Sequence, residues 1–442
     1  MGNYERRLPV LRLGYGMYYG RVQNGPLITA LTQTGSANGD LNFFMRPTDN
    51  LNAGGAPPFP YVLAGEPLSM IKPGIVQYAP GYRNPEIHQA IASLEESLPG
   101  HFLFAASAIM SLGRRLPVSI DTNFDPKVNP QTITYAVVDG TGKGPIKASQ
   151  ITVPFYADWV LASAPSGTQG RLNPNYQQIT QIYSRANSTY QAATFQLIHH
   201  GRRGLSLNTR YIFGHAMDWN PNESSSVTGS DVLDPADFTH EYGVSNLDAR
   251  HTIFSSVIFS TPWKLHNFAG HFANGWRFSG LGSFHSGMPY TMRTSGSVPR
   301  VVNLSTRQTF TGLGPGMNGS GGDNRVYGTG NNGVAYDLGR NTFRYPSAWK
   351  ADVRLGKQIE LGQMLRLELM GETFNLFNHR NVTEVETIGY TVAPGGLNGS
   401  FPTLTYFTGL KSNSTAFGQP LNSNSSYLYR ERQVQFGMRM HF

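Results

Sequence analysis

Residues 433–442 read Gln-Val-Gln-Phe-Gly-Met-Arg-Met-His-Phe and end the chain. Val434, Phe436, Met438, Met440 and Phe442 share one parity; Gln433, Gln435, Gly437, Arg439 and His441 share the other. Successive side chains of an extended strand point to opposite faces. The stretch is therefore a ribbon with one apolar and one polar face, and its last residue is aromatic. Such a ribbon fits a boundary between two solvents, hydrocarbon on one side and water on the other.

The composition supports that reading. Of 442 residues, 39% are hydrophobic and only 14% are charged, against about 25% charged in ordinary soluble domains. The chain has no apolar run of the roughly 18 residues that a membrane-spanning helix needs. A closed β-barrel is the other way to satisfy every backbone polar group in lipid. The predicted class is all-β: a transmembrane antiparallel β-barrel in a Gram-negative outer membrane, with outer-membrane lipid as its first partner. With no cysteine, disulfides, thiol catalysis and cysteine metal sites are excluded. The net charge of +8 is scattered apart from Arg6-Arg7, Arg114-Arg115 and Arg202-Arg203, so nucleic acid is not an expected partner. Met1 to Arg7 runs into a strand with no apolar leader after it, and the expectation is that the natural N-terminus lies upstream.

Ten segments carry strand patterning: Pro9–Tyr19, Glu86–Leu98, Phe102–Leu112, Thr189–His199, Leu205–His215, Asp248–Ser260, Trp276–Ser286, Ala348–Glu360, Met364–Phe377 and Leu428–Phe442. Each is near the 9–11 residues of a tilted membrane strand. In the fifth, Leu205, Leu207, Thr209, Tyr211 and Phe213 alternate with Ser206, Asn208 and Arg210. In the eighth, Trp349, Ala351, Val353 and Leu355 alternate with Lys350, Asp352 and Arg354. In the ninth, Leu365, Leu367 and Leu369 alternate with Arg366 and Glu368. The connections alternate long and short, as extracellular loops and periplasmic turns of outer-membrane barrels do. The strand count is even, and both ends of the chain fall on the short-turn side. The long connections, rich in Gly, Asn, Ser and Pro and extreme at Gly312–Gly333, are expected to be exposed and mobile.

Several stretches resemble the C-terminal barrel half of TonB-dependent outer-membrane receptors, closest to the Oar-like subgroup. They include LRLGYGMYYGR, YQAATFQLIHHGRRGLSLNTRYIFGHAMD, SNLDARHTIFSSVIFSTPW, GWRFSGLGSFHSGMPYT, RLELMGETFNLFNHRNV and RQVQFGMRMHF, in family order. The resemblance implies a 22-strand barrel with an N-terminal plug, energised through the TonB system, that takes up a scarce or bulky ligand. Here 1–442 is expected to be the C-terminal part of that barrel, with signal peptide, plug and N-terminal strands outside it. Phe442, with Met440, Met438 and Phe436 behind it, would be the signal read by the barrel-assembly machinery.

The candidate site residues are charges predicted to face the lumen: Asp248 and Arg250 on the sixth strand, Asp352 and Arg354 on the eighth, Arg366, Glu368 and Glu372 on the ninth, and Arg439 on the tenth. Opposite charges on neighbouring strands can pair across the ladder, so these residues either fix register or line a ligand path. Glu368 and Glu372 would stand about 13 Å apart along a strand, beyond the ~9.5 Å of a glycosidase pair. Adjacent His199 and His200 point to opposite faces, while His215 and His251 lie where strands meet loops; the expected use is structural, and no metal or other cofactor is expected. Asp323, Asn324 and Asn331 lack the spacing of a calcium loop. Gly14, Gly16 and Gly20 lie in a strand and not in a phosphate-binding turn. Tyr15, Tyr18, Tyr19, Tyr211, Phe213, Trp276, Phe284, Trp349 and Phe442 are expected to form interfacial girdles. No residue pattern calls for an enzyme. The expected function is TonB-dependent receptor-like uptake of an unidentified ligand; the alternatives are an autonomous small porin and a surface adhesion or binding protein acting through its long loops.

Overall fold

The computed structural model describes residues 8–35, 74–123, 130–158, 172–199 apart from 174 and 177, 201, 204–219, 232–234, 237–266, 268–296, 301–303, 308–313, 325–362, 365–393, 402–406 and 415–442 apart from 427. His200, Asp323 and Asn324 lie outside them.

The ten predicted strands all form, and they pair in chain order. They are β1 (Val10–Tyr19), β2 (Glu86–Leu98), β3 (Phe102–Asp121), β4 (Ile179–His199), β5 (Leu205–Asp218), β6 (His251–Ser260), β7 (Trp276–His285), β8 (Ala348–Glu360), β9 (Arg366–Phe374) and β10 (Gln433–His441). Each is antiparallel to the next. This is the meander that short turns between consecutive strands produce. Among the described residues β1 pairs only β2 and β10 pairs only β9, so the sheet has two open edges.

The short turns are held by local chemistry. Between β2 and β3, Gly100 and His101 both adopt positive φ, 83° and 65°, which glycine takes without steric cost. Between β4 and β5, a Cβ on Gly204 would fall 1.9 Å from the Ser260 carbonyl oxygen on β6, so the close approach of two strands excludes any larger residue. The turn between β6 and β7 is longer and contains helix α2 (Phe268–Ala273), α1 being Asn24–Thr32 in the first long connection.

The register shows the faces. Val434, Phe436, Met438 and Met440 stand opposite Thr373, Gly371, Leu369 and Leu367. These in turn oppose Val353, Leu355, Lys357 and Ile359. This parity is apolar over three strands apart from Thr373 and Lys357, as a lipid-facing surface would be; the other parity carries most of the charges. Of the predicted girdle residues, Tyr18 is the exception. It has the polar parity, and its ring lies where a side chain on Gly16 would be. The alternation flips it inward, whatever its amphipathic ring would suit. One girdle contact repeats: Tyr15 Oη lies 2.8 Å from His88 Nδ1, and Tyr211 Oη 2.8 Å from His251 Nδ1. In both, the histidine sits opposite the residue two beyond the tyrosine, toward the long-loop end.

Three expectations are corrected. First, β3 and β4 are 20 and 21 residues long, not eleven. The pattern breaks at a register shift around Gly113–Pro117, where Arg115 takes φ 58°, and the strands continue above it. Second, β6 begins at His251, so Asp248 and Arg250 precede the strand. Third, the described parts of the long connections are built into sheet, while most of Gly312–Gly333, residues 314–324, lies outside the described residues. Segments 130–138, 150–158, 293–296, 301–303, 308–313, 327–330, 335–337, 388–393 and 403–406 form a second, nine-stranded sheet. Two of its pairings are parallel, 293–296 with 388–393 and 403–406 with 130–138. Its core of Ile133, Tyr135, Ile151, Val153, Tyr390 and Leu404 is buried. Tyr390 Oη accepts a hydrogen bond from the Ile146 amide at 3.1 Å, which satisfies a polar atom that burial would otherwise penalise.

Candidate functional site

The polar face of β8–β10 holds one charge lattice. Arg354 on β8 reaches two carboxylates of β9: Glu368 at 3.2 Å and Glu372 at 3.4 Å. Glu368 also lies 4.0 Å from both Arg439 and His441 on β10. Glu372 stands directly across from Arg354 on one side and Gln435 on the other, and Gln435 donates to it. Arg366 stands between Glu360 and His441 in the ladder. Asp352 pairs with Lys350 at 3.0 Å and accepts from the Asn375 amide at 2.9 Å, tying the rim of β9 back to β8. Four strand-borne candidates, Arg354, Glu368, Glu372 and Arg439, are thus brought into one network, and Asp352 sits in a second one beside it.

Next to this lattice, a cavity of about 630 Å³ opens on the polar face of β5–β8. Its floor is a row that runs straight across four strands: Arg210, Phe254, Ser283 and Lys350. Phe254 is 53% exposed and Leu281, on the same face, is 60% exposed. Tyr429, from the segment before β10, closes one side and packs 6.0 Å from the ring of His285. Burial pushes the Tyr429 phenol above its ordinary range, so it is a neutral hydrogen-bond donor at neutral pH. The arrangement presents an exposed aromatic surface flanked by Arg210 on one side and the Lys350–Asp352 pair on the other, suited to a solute with an apolar body and polar groups. A shallower groove of about 880 Å³ crosses β1–β5. Gly14, Ile91, Ile109, Ala192 and Gly214 form its polar-parity row, and Arg250 closes one end.

At the long-loop end, three arginines of 325–344 reach three acids of 218–248. Arg325 pairs with Glu241 at 3.4 Å, both side chains fully buried. Arg340 binds the Asp218 carboxylate and also its carbonyl at 2.8 Å. Arg344 binds the Asp248 carboxylate at 2.5 Å and donates to the Gly287 carbonyl at 3.0 Å. Asp248 further accepts from the Ala216 amide at 2.8 Å and faces His215 Nδ1 at 2.9 Å. Asp248 is therefore a buried clasp at the mouth and not a charge on the wall. Burial alone would raise its pKa; the hydrogen bonds from Arg344, Ala216 and His215 and the charge of Arg344 outweigh this and hold it below the ordinary value.

The histidines are spread apart. His199 Nδ1 lies 2.9 Å from the Leu205 carbonyl across the turn, and His251 is in the girdle. Among the described residues no group of three or more His, Asp or Glu is placed to hold a metal ion. Asn331 donates to Ser149 Oγ at 2.9 Å within the outer sheet.

Sequence reasoning missed the Arg210–Phe254–Lys350 row, although a signal existed: Phe254 and Leu281 are large apolar residues at polar parity. For Arg325, Arg340 and Arg344 no periodic signal exists, because they lie in connections.

A family model described as an outer membrane beta barrel domain matches residues 7–435. No curated protein matches significantly. Among solved structures the chain is similar to the outer membrane transporter YddB from Escherichia coli, with 8% identity and a TM-score of 0.36 over 77% of this chain and 33% of that one. It is also similar to the ferric-catecholate import receptor Fiu from Escherichia coli K12, with 8% identity and a TM-score of 0.35 over 98% and 33%. A third is the ferripyoverdine receptor of the outer membrane of Pseudomonas aeruginosa, with 8% identity and a TM-score of 0.35 over 81% and 27%. The chain spans a third or less of the length of these structures.

Proposed function

This chain belongs to the outer membrane β-barrel domain family, located in the outer membrane, and from that premise we propose that it is one sector of a TonB-dependent receptor-like transport barrel. In this reading the polar face lines the path of a ligand taken up across the outer membrane. The observation that carries it is the cavity on that face, with exposed Phe254 held between Arg210 and Lys350. A wall that served only as scaffold would fill polar-parity positions with small or paired residues; an exposed aromatic there is an unused contact surface. The two open edges of the sheet support a sector of a larger wall over a closed ten-strand porin, because unpaired edges in lipid leave backbone groups unsatisfied. The barrel-assembly machinery, a plug and the TonB system are the partners this reading requires.

The test compares spent medium from wild-type cells, a deletion strain and an R210A/K350A strain by untargeted mass spectrometry. At least one solute should be depleted by wild-type cells, less so when a protonophore collapses the proton motive force, and not by the deletion strain. Depletion by the double variant should be at least tenfold slower. Identical media from all three strains would overturn transport.

A second reading, surface binding through the loops, draws on the outer sheet with its own buried core. Under it, deletion of the gene would abolish attachment to a surface or ligand without changing the spent medium.

A further inference from the structure

The connection between β6 and β7, residues 261–275, has no business being long if its only task is to turn the chain, since the other short-side turns need a few residues. It reads Thr-Pro-Trp-Lys-Leu-His-Asn-Phe-Ala-Gly-His-Phe-Ala-Asn-Gly and contains no acidic residue. It is clamped to the outside of the wall. Lys357, whose ladder partners are Trp276 and Leu369, stands on the lipid-facing parity at the short-turn rim. Its ammonium lies 5.1 Å over the Trp276 ring. It donates to the carbonyls of His271 at 2.9 Å, Phe272 at 3.1 Å and Asn274. Trp276 Nε1 donates to Phe272 O at 2.6 Å and Trp263 Nε1 to Ala273 O at 3.1 Å. The Gly270 carbonyl takes the Asn274 amide at 3.0 Å. The Asn274 side chain closes the segment on both backbone groups of Leu265, at 2.9 and 2.8 Å.

Every carbonyl from Gly270 to Asn274 is therefore met by a protein donor. A short helix in water leaves its last carbonyls to solvent. Full internal satisfaction is the condition for placing backbone where water is scarce. The lipid-facing lysine is satisfied by the same contacts, with its charge spread over carbonyl dipoles and an aromatic face. Outward from this clamp, Phe268 is 79% and Phe272 68% exposed, with Trp263 and Leu265 exposed beside them. Phe268 and Phe272 touch edge to face at 5.6 Å. Lys264, His266 and His271 are exposed along the same segment.

We propose that residues 261–275 are a membrane foot: the segment lies in the periplasmic leaflet of the outer membrane, with Trp263, Leu265, Phe268 and Phe272 among acyl chains and Lys264, His266 and His271 at phospholipid phosphates. The partner is the phospholipid leaflet because the apolar cluster continues the lipid-facing surface at Trp276 and because a segment with a lysine, hydrogen-bonding histidines and no acids complements phosphate. The inference rests on the outer-membrane location and not on any transport activity.

The chain has no cysteine, so single nitroxide labels can be placed at L265C, F268C and F272C, with E360C on the polar parity of the same rim as the aqueous control. The full chain is assembled in outer-membrane vesicles, and collision rates with oxygen and with a water-soluble nickel chelate are read by electron paramagnetic resonance. The ratio of oxygen to nickel collisions should be at least fivefold higher at 268 and 272 than at 360, with 265 between or equal to them. K357A should bring the ratio at 268 toward the control by releasing the clamp. A ratio at all three foot positions equal to that at 360 overturns the proposal. So do low collision rates with both reagents, which would mean that protein covers the segment. Loss of uptake with the foot still in lipid would strike the transport reading alone.

Discussion

Asp248 shows how much a single side chain decides at the mouth. Its pKa is held below the ordinary carboxylate value, chiefly by Arg344, Ala216 and His215 acting against burial. A carboxylate with a depressed folded-state pKa contributes stability that is present above its unfolded value, about 3.9, and lost as pH falls through the folded one. The docking of 325–344 on 216–248 should therefore hold from neutral pH down to about 4 and fail only below. Limited proteolysis within 237–248 across a pH series measures this, and cleavage already at pH 6 would contradict it. Asp248→Ala leaves the Ala216 amide without its acceptor and takes one acceptor from partly exposed Arg344, which keeps the Gly287 carbonyl; it should cost about 1–3 kcal/mol locally, seen as cleavage at pH 7. On the wall the parity decides. Leu355→Arg, in the middle of β8, puts a charge on the lipid face at about 2–4 kcal/mol and should lower the folded, heat-modifiable fraction on gels, whereas Gln435→Arg on the polar face should leave it unchanged. Equal fractions would mean that the faces are misassigned.

At the scale of elements, the outer sheet should be separable from the wall. Tyr135 is fully buried in its core, so Tyr135→Ala should cost about 3–5 kcal/mol. Protease sensitivity of 130–158 should rise while the heat-modifiability of the wall stays as it was; loss of both would show that the two fold as one. The ten wall strands were legible because a strand with lipid on one face and water on the other must alternate, as Leu205 to Phe213 and Trp349 to Leu355 do. Their membrane halves were read to within a few residues, and the failures have physical reasons. At Gly113 to Pro117 the pairing is interrupted and Arg115 leaves the extended conformation, so the alternation breaks there and the upper halves of β3 and β4 looked like loop. Asp248 and Arg250 extend the alternation of β6 in sequence while the backbone there turns to form the clasp. The outer strands, three to nine residues long, are stabilised by partners far away, 403–406 on 130–138 for example, and no local period encodes such pairing. Of the candidate site, the charges of β8–β10 were legible from parity. The cavity beside them was not, because it is made by a row running across strands and by Tyr429 folding in from the last long connection.

For the whole molecule, the question is what lies beyond β1 and β10. Among the described residues each edge strand pairs on one side only, which leaves the backbone groups of its other side without a ladder partner in lipid. Under the proposed transport reading, further strands of the same wall would pair there. A cysteine pair at Leu13 and Met438 should not form a disulfide in the assembled protein, because in a larger barrel these strands are not neighbours; quantitative cross-linking would show a ten-strand closure. The central claim is a wall with hydrocarbon on one side and an aqueous path on the other. A scan of single cysteines along β8, from Trp349 to Leu355 in the assembled protein, tests it most directly. A small membrane-impermeant maleimide should modify positions 350, 352 and 354 and spare 349, 351, 353 and 355. Labelling without that period of two would contradict the account.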